Sequence, residues 1–166
     1  MGFFLALAIS LSMFESMIPD FFIPGFKLGL ANIAIVILLF GIGWKEALVV
    51  DVLRVLLVSL LRGNFLSMGG FMSYMGMALS YLAMLLLYLL WKKASIIFVS
   101  IIGAIFHDVG QIIVAVFFQE SFAFFYYLPF MVLVSLATGA LSGLVAYYVL
   151  KNAALRRYLN KRIEEN

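Results

Sequence analysis

Long apolar runs broken by short polar or Gly/Pro-containing stretches set the pattern of this chain. A bilayer core of about 30 Å takes roughly 20 apolar residues per helix. Six segments approach that requirement, at 2–18, 29–43, 46–62, 66–91, 95–118 and 122–150. The breaks carry the chemistry of helix ends. Pro19-Asp20 and Pro24-Gly25 stop the first segment and make a turn-rich loop before the second. Gly41-Ile42-Gly43-Trp44-Lys45 forms a short hinge, and Arg62-Gly63-Asn64, Trp91-Lys92-Lys93 and Gln119-Glu120 mark the later turns. The second segment is short for a span, so a tilted or partly re-entrant helix is expected there. The apolar run Gly2–Leu11 has no basic residue before it and no small-x-small site opening into a polar chain, so it reads as a retained first helix. The expected fold is all-α: a compact bundle of about six transmembrane helices over residues 1–150, followed by a basic tail at 151–166.

Composition supports the same class. Apolar residues make up 66% of the chain and charged residues 11%, with a mean hydropathy of +1.18. A soluble domain is about half apolar and about a quarter charged. A globule of this size leaves too much surface in water to hide so much hydrocarbon, so the bilayer must supply the apolar surroundings. No cysteine is present, which removes disulfides, thiol catalysis and thiolate metal sites, and His107 alone cannot build a multi-histidine metal site.

The net charge of +3 reports orientation, not nucleic-acid binding. With the N-terminus inside, Lys45, Lys92, Lys93, Lys151, Arg156, Arg157, Lys161 and Arg162 fall on the cytoplasmic side. Lys27 and Arg62 fall outside, and Arg54 lies within a helix. This positive-inside asymmetry puts both termini in the cytoplasm. The tail from Lys151 to Asn166 suits an anchor on anionic lipid.

In such a chain the polar residues inside the spans are the informative ones, because each is costly unless paired or facing water. Glu15 stands near the outer end of the first helix, Asn32 early in the second, and Asp51 and Arg54 near the middle of the third. Asp51 and Arg54 are three apart and share a face. They either form an internal ion pair or present Arg54 to a polar ligand. His107, Asp108 and Gln111 make the densest group, on one broad face of the fifth helix between Gly103 and Gly110. Interhelical hydrogen bonding is the plainer reading of that group, and a cavity wall is the functional one.

Small residues four apart on the first helix, Ala6 with Ser10 and Ala8 with Ser12, permit close packing inside the bundle or against another subunit. Gly139 and Gly143 do the same on the last helix. The aromatic run Phe122–Tyr127 suits a membrane interface. No Walker sequence, paired Asp-rich diphosphate motif, nucleophile elbow or zincin motif occurs. No catalytic residue, metal site or cofactor is expected, and the chain is not expected to be an enzyme.

Several blocks resemble one family. Phe14-Glu15-Ser16-Met17-Ile18-Pro19 and Pro24-Gly25-Phe26-Lys27-Leu28-Gly29-Leu30-Ala31-Asn32-Ile33 are similar to the Gx transporter family, also labelled heptaprenyl diphosphate synthase component I. The likeness continues through Gly43–Leu48, Arg54-Val55-Leu56, Gly103–Gln111, Tyr127-Leu128-Pro129 and Thr138-Gly139, and so covers nearly the whole chain. Asp108 departs from the pattern, which has Asn after the histidine.

The family in turn resembles the substrate-binding S components of energy-coupling factor importers. The resemblance implies a six-helix subunit of a bacterial plasma membrane that captures a vitamin-like solute or precursor outside. It also implies a separate transmembrane T component and two cytoplasmic ATPases as partners, with Ala6, Ala8, Ser10 and Ser12 facing the T component.

On this reading Glu15, Lys27, Asn32, Arg54, His107, Asp108 and Gln111 line or gate an outward pocket. Lys27 guides an anionic group, Asn32 and Gln111 hydrogen-bond the ligand, and Arg54 is the main electrostatic anchor. The family label makes an isoprenoid- or quinone-related precursor one candidate, and a flavin-related role another. A non-transporting accessory subunit of an isoprenoid or redox system is the rival from a different class. An autonomous secondary transporter is disfavoured by the short chain and the lack of a visible inverted repeat.

Overall fold

The structure is a computed structural model and describes residues 1–17 and 30–152. Six α-helices make up the described chain: α1 (Gly2–Met17), α2 (Leu30–Gly41), α3 (Trp44–Leu61), α4 (Met68–Leu90), α5 (Ile96–Gln119) and α6 (Leu128–Lys151). A short 3₁₀ segment, Phe122–Tyr127, joins α5 to α6, so the sixth helix starts later than the 122 expected from the apolar run. Lys27, the Pro/Gly-rich connection and the basic tail beyond Asn152 lie outside the described residues.

The breaks form where turn chemistry directs them. Ser67 and Ser95 stand in extended backbone at the starts of α4 and α5, and their hydroxyls accept the N–H of Gly70 at 3.3 Å and of Phe98 at 3.1 Å. Each satisfies one of the orphan donors of a first helical turn. Gly63, with φ at +65°, turns the chain between α3 and α4. Glu120 takes the left-handed conformation that closes α5, and Pro129 sits in the first turn of α6, where its missing N–H costs nothing.

Burial is inverted relative to a soluble protein. Large apolar side chains such as Leu61, Leu90, Phe117, Leu133 and Tyr148 are exposed, while serines, Asp51, Asp108 and Gln111 are buried. An apolar exterior this extensive needs lipid around it. The segments Met68–Leu90, Ile96–Gln119 and Phe122–Lys151 are each long and apolar enough to cross a membrane. α1 and α2 are apolar but shorter, with 16 and 12 residues.

The shortness of α2 has a packing reason. Ala31 and the continuous run Ala34–Leu39 are buried, so the helix is covered on every side by protein. An all-round apolar helix belongs in such a place. At 1.5 Å per residue its roughly 18 Å forms a central post and not a lipid-facing span.

α4, α5 and α6 form the tightest unit, packed through small residues. Gly110 on α5 lies against Gly76 on α4, where an added Cβ would come 2.7 Å from the Gly76 Cα. Gly139 and Gly143 on α6 lie equally close to the α5 backbone at Ile101 and Ile97. Small residues at crossings let helix backbones approach in lipid, where no hydrophobic force drives them together. α1 and α3 pack together with α2, which also reaches α5 and α6.

The two ends of the bundle differ. Phe4, Ile35, Leu38, Leu39, Ala47, Met84, Val99 and Ala146 form an apolar cluster that closes the end holding the N-terminus and the α2–α3 and α4–α5 turns. The hydroxyl of Tyr81 donates to the Trp44 carbonyl there and ties α4 to the start of α3. The other end is polar and open.

Replacing Gly110 with Ala should force α4 and α5 apart, because the new methyl meets backbone atoms that cannot rotate away. A loss of about 1–3 kcal/mol is expected. Thermal unfolding in lipid nanodiscs measures it, with Gly2→Ala as the silent control, since a Cβ at Gly2 meets nothing within 4 Å.

Candidate functional site

A cavity fills the open half of the bundle. It holds about 940 Å³ of space free of protein atoms, counting its open mouth, and is bordered by all six helices. Its walls come from helical rows three and four residues apart: Ser12, Glu15 and Ser16 on α1, Ser73, Met77 and Ser80 on α4, and Ser135, Thr138 and Ser142 on α6. α3 contributes Asp51, Arg54, Val55, Val58, Ser59 and Arg62, and α5 contributes Ala104, His107 and Asp108.

The charged centre of the wall is an ion pair within α3. Arg54 Nε and Nη2 both donate to Asp51 Oδ1, at 3.0 and 2.5 Å, and Nη1 donates to Ser12 Oγ at 3.2 Å. Asp51 is 3% exposed, so the pair stands in the protein interior. The contact to Ser12 pins α1 to α3. Arg54 is thereby engaged by the protein, and of its five N–H donors the three bonds leave two for the cavity.

The floor lies between α5 and α6. Ser135 Oγ donates to Asp108 Oδ2, linking the two helices. Gln111 Nε2 stands 3.2 Å from His107 Nε2 and donates to it, which sets the amide behind the imidazole and leaves His107 on the cavity. Gly76 makes room for the ring, since a Cβ there would come 2.9 Å from His107 Cε1 and Nδ1. At the mouth, Tyr74 Oη donates to the Phe65 carbonyl at 2.9 Å and lies 2.8 Å from Ser59 Oγ, holding the α3–α4 turn over the rim.

A family model described as Heptaprenyl diphosphate synthase component I matches residues 4–149. The chain belongs to that family. No curated protein and no solved structure matches it. The matched span takes in the whole cavity, so the cavity is built from the family's own part of the chain.

Within this member, the sequence-expected residues Glu15, Asn32, Arg54, His107 and Asp108 come together on one cavity. Gln111 is 1% exposed and sits behind His107, not on the lining. Its amide orients the imidazole, whereas direct hydrogen bonding to a ligand was expected. Of the two readings open for Arg54, the internal ion pair is formed, with Asp51 on the same face three residues away.

The small residues of α1 divide in the same way. Ala6 and Ser10 are exposed, but Ala8 is fully buried in the core and Ser12 faces the cavity. The four residues therefore cannot form one outward face. Helical spacing explains it: residues two apart, such as Ala6 and Ala8, point about 200° apart.

Sequence reasoning passed over the hydroxyls. Seven serines and Thr138 line the cavity. Their signal was present as Ser or Thr recurring on one face of otherwise apolar helices, three and four residues apart in Ser135, Thr138 and Ser142 on α6, four apart in Ser12 and Ser16 on α1, and seven apart in Ser73 and Ser80 on α4.

Arg54→Ala would strand Asp51 as a buried charge with no cation. A destabilisation of about 3–5 kcal/mol is expected. The double variant Asp51→Asn/Arg54→Ala should recover much of it. A double-mutant cycle on unfolding in nanodiscs measures the coupling, and additive losses would show that the pair contributes nothing.

Proposed function

We propose that this chain is the solute-binding membrane subunit of an energised importer, of the S-component kind. One observation carries the reading: a polar cavity occupies one half of a membrane bundle, and an apolar plug closes the other half. Lys45, Lys92, Lys93 and Lys151 belong to the plugged end, while the rim of the open end carries Arg62. By the positive-inside asymmetry the plugged end faces the cytoplasm and the mouth faces outward. The chain then spans the membrane repeatedly with both ends inside.

A ligand entering from outside would meet Phe4, Leu38 and Met84 at the bottom and go no further. Such a chain is a receptor that delivers only when the whole subunit, or its packing, is moved by something else. With no nucleotide-binding loop in the sequence, the work would come from a transmembrane partner and its ATPases. Ala6 and Ser10, exposed one turn apart on α1, are the part of the small-residue pattern left for such a partner.

A second reading also has support. The polar groups largely satisfy one another, Arg54 with Asp51, Asp108 with Ser135, and His107 with Gln111, and the family's name points to heptaprenyl diphosphate synthesis. On that reading the chain is a non-transporting accessory subunit and the cavity has no solute.

Native mass spectrometry of the full chain in nanodiscs, after incubation with yeast extract, separates the two. One small molecule per chain is expected, and Thr138→Phe, which puts a ring into the cavity, should abolish it. A clean unliganded mass, together with co-purification of a prenyl synthase and no ATPase, would establish the accessory role instead.

A further inference from the structure

The bonding state of the cavity narrows what it can hold, on the reading that it binds a solute. Asp108 is 5% exposed and lines the floor. Its Oδ2 accepts from Ser135, and that is the one side-chain hydrogen bond it makes among the described residues. No cation pairs with it among the described residues. A carboxylate offers about four acceptor sites, so Oδ1 is left open on the cavity side. Buried charges are ordinarily paired, because an isolated carboxylate in a low-dielectric interior is very costly.

The other unmet groups point the same way. The buried side-chain atoms without a partner among the described residues are Asn64 Oδ1, Ser100 Oγ and Gln111 Oε1, and every one is an oxygen. Asn64 lines the cavity near its mouth, whereas Ser100 and Gln111 stand off its lining. No fully buried side-chain nitrogen is stranded among the described residues. The described guanidiniums that border the cavity are Arg54, held by Asp51, and Arg62, exposed at the rim. At the floor, then, Asp108 presents an acceptor oxygen that no described cation faces.

We propose that the cavity takes a compact solute bearing a basic nitrogen, and that this nitrogen donates to Asp108 Oδ1. The hydroxyls of Ser80, Ser135 and Thr138 surround the bound group and turn to donate or accept as its remaining polar atoms require. A prenyl diphosphate fits neither part of this floor. Its phosphates would face a carboxylate of like charge, and its hydrocarbon would leave those hydroxyls without partners.

The test uses the full chain in nanodiscs and yeast extract split on a cation exchanger and an anion exchanger, with isopentenyl diphosphate and inorganic diphosphate as separate probes. Native mass spectrometry should find a retained molecule from the cation-exchanger fraction and none from either diphosphate. Asp108→Asn keeps the shape of the side chain and an acceptor for Ser135, and should weaken retention about tenfold or more. Acylating the basic nitrogen of the retained molecule should weaken binding to the unmodified protein to a similar degree, a measurement independent of whether the variant folds. A ligand drawn from the anion-exchanger fraction, retention of a diphosphate, or indifference to both changes would overturn the assignment to Asp108 while leaving solute binding intact. Retention of nothing from either fraction would overturn solute binding itself, and this inference with it.

Discussion

Holding a carboxylate and a guanidinium on one helix within a membrane bundle is possible only if the two meet and turn away from lipid. α3 has four charged residues in 18, Lys45, Glu46, Asp51 and Arg54. Two of them stand at its first turn, where the bundle ends. The other two fall three residues apart near the middle and close on each other, with Ser12 of α1 taking a further donor. The direction of that pair fixes which side of α3 faces inward, and so places Val55, Val58 and Ser59 on the cavity and Leu53, Leu57 and Leu60 outside. The pair also draws α1 onto α3, so that Glu15 and Ser16 reach the same space.

A wall held by charge needs a rigid counterpart, and α4–α6 supply it by a different means. Glycine against glycine at Gly76 and Gly110, and glycine against backbone at Gly139 and Gly143, bring these helices close enough for short side chains to bridge them. Ser135 reaches Asp108 only because α5 and α6 are that near. The bundle thus combines a tightly packed half of small residues with a half organised around one ion pair, and α2 stands between them as an apolar post. The cavity is the space the polar side chains leave at one end. At the other end leucine, methionine and phenylalanine fill the same space.

Most of the fold was legible because its determinants are local. Hydropathy set the segments, and the breaks at Gly41–Lys45, Arg62-Gly63-Asn64, Trp91-Lys92-Lys93 and Gln119-Glu120 fall at helix ends within a few residues. The helical register of Asp51 and Arg54 allowed their pairing without requiring it. What was not legible depends on which way a helix faces, and apolar helices with little amphipathic contrast do not declare that. Ala8 looked equivalent to Ala6 in the sequence, yet one is in the core and the other on the surface. Gln111 looked equivalent to His107, yet it lies one layer behind. The hydroxyl rows were overlooked for a related reason: serine is common enough in membrane helices that single positions carry no message. Only their recurrence along one helix face does.

The two ends of the bundle differ in what it takes to open them. Its plug is made of side chains from α1, α2, α3, α4, α5 and α6 together, so no single helix can open it by moving alone. The mouth is different. It is bordered by the α3–α4 turn, held by Tyr74 through Ser59 and the Phe65 carbonyl, and by the helix ends on either side of the connection between α1 and α2. Opening and closing at the rim involves a few hydrogen bonds, whereas opening at the plug involves unpacking the core. Opening at the mouth is therefore the lower-cost of the two motions, and the plug gives way only if the whole core repacks. Outside the bundle, Ala6 and Ser10 leave α1 a face of short side chains beside the edge of α3 that Arg54 pins through Ser12.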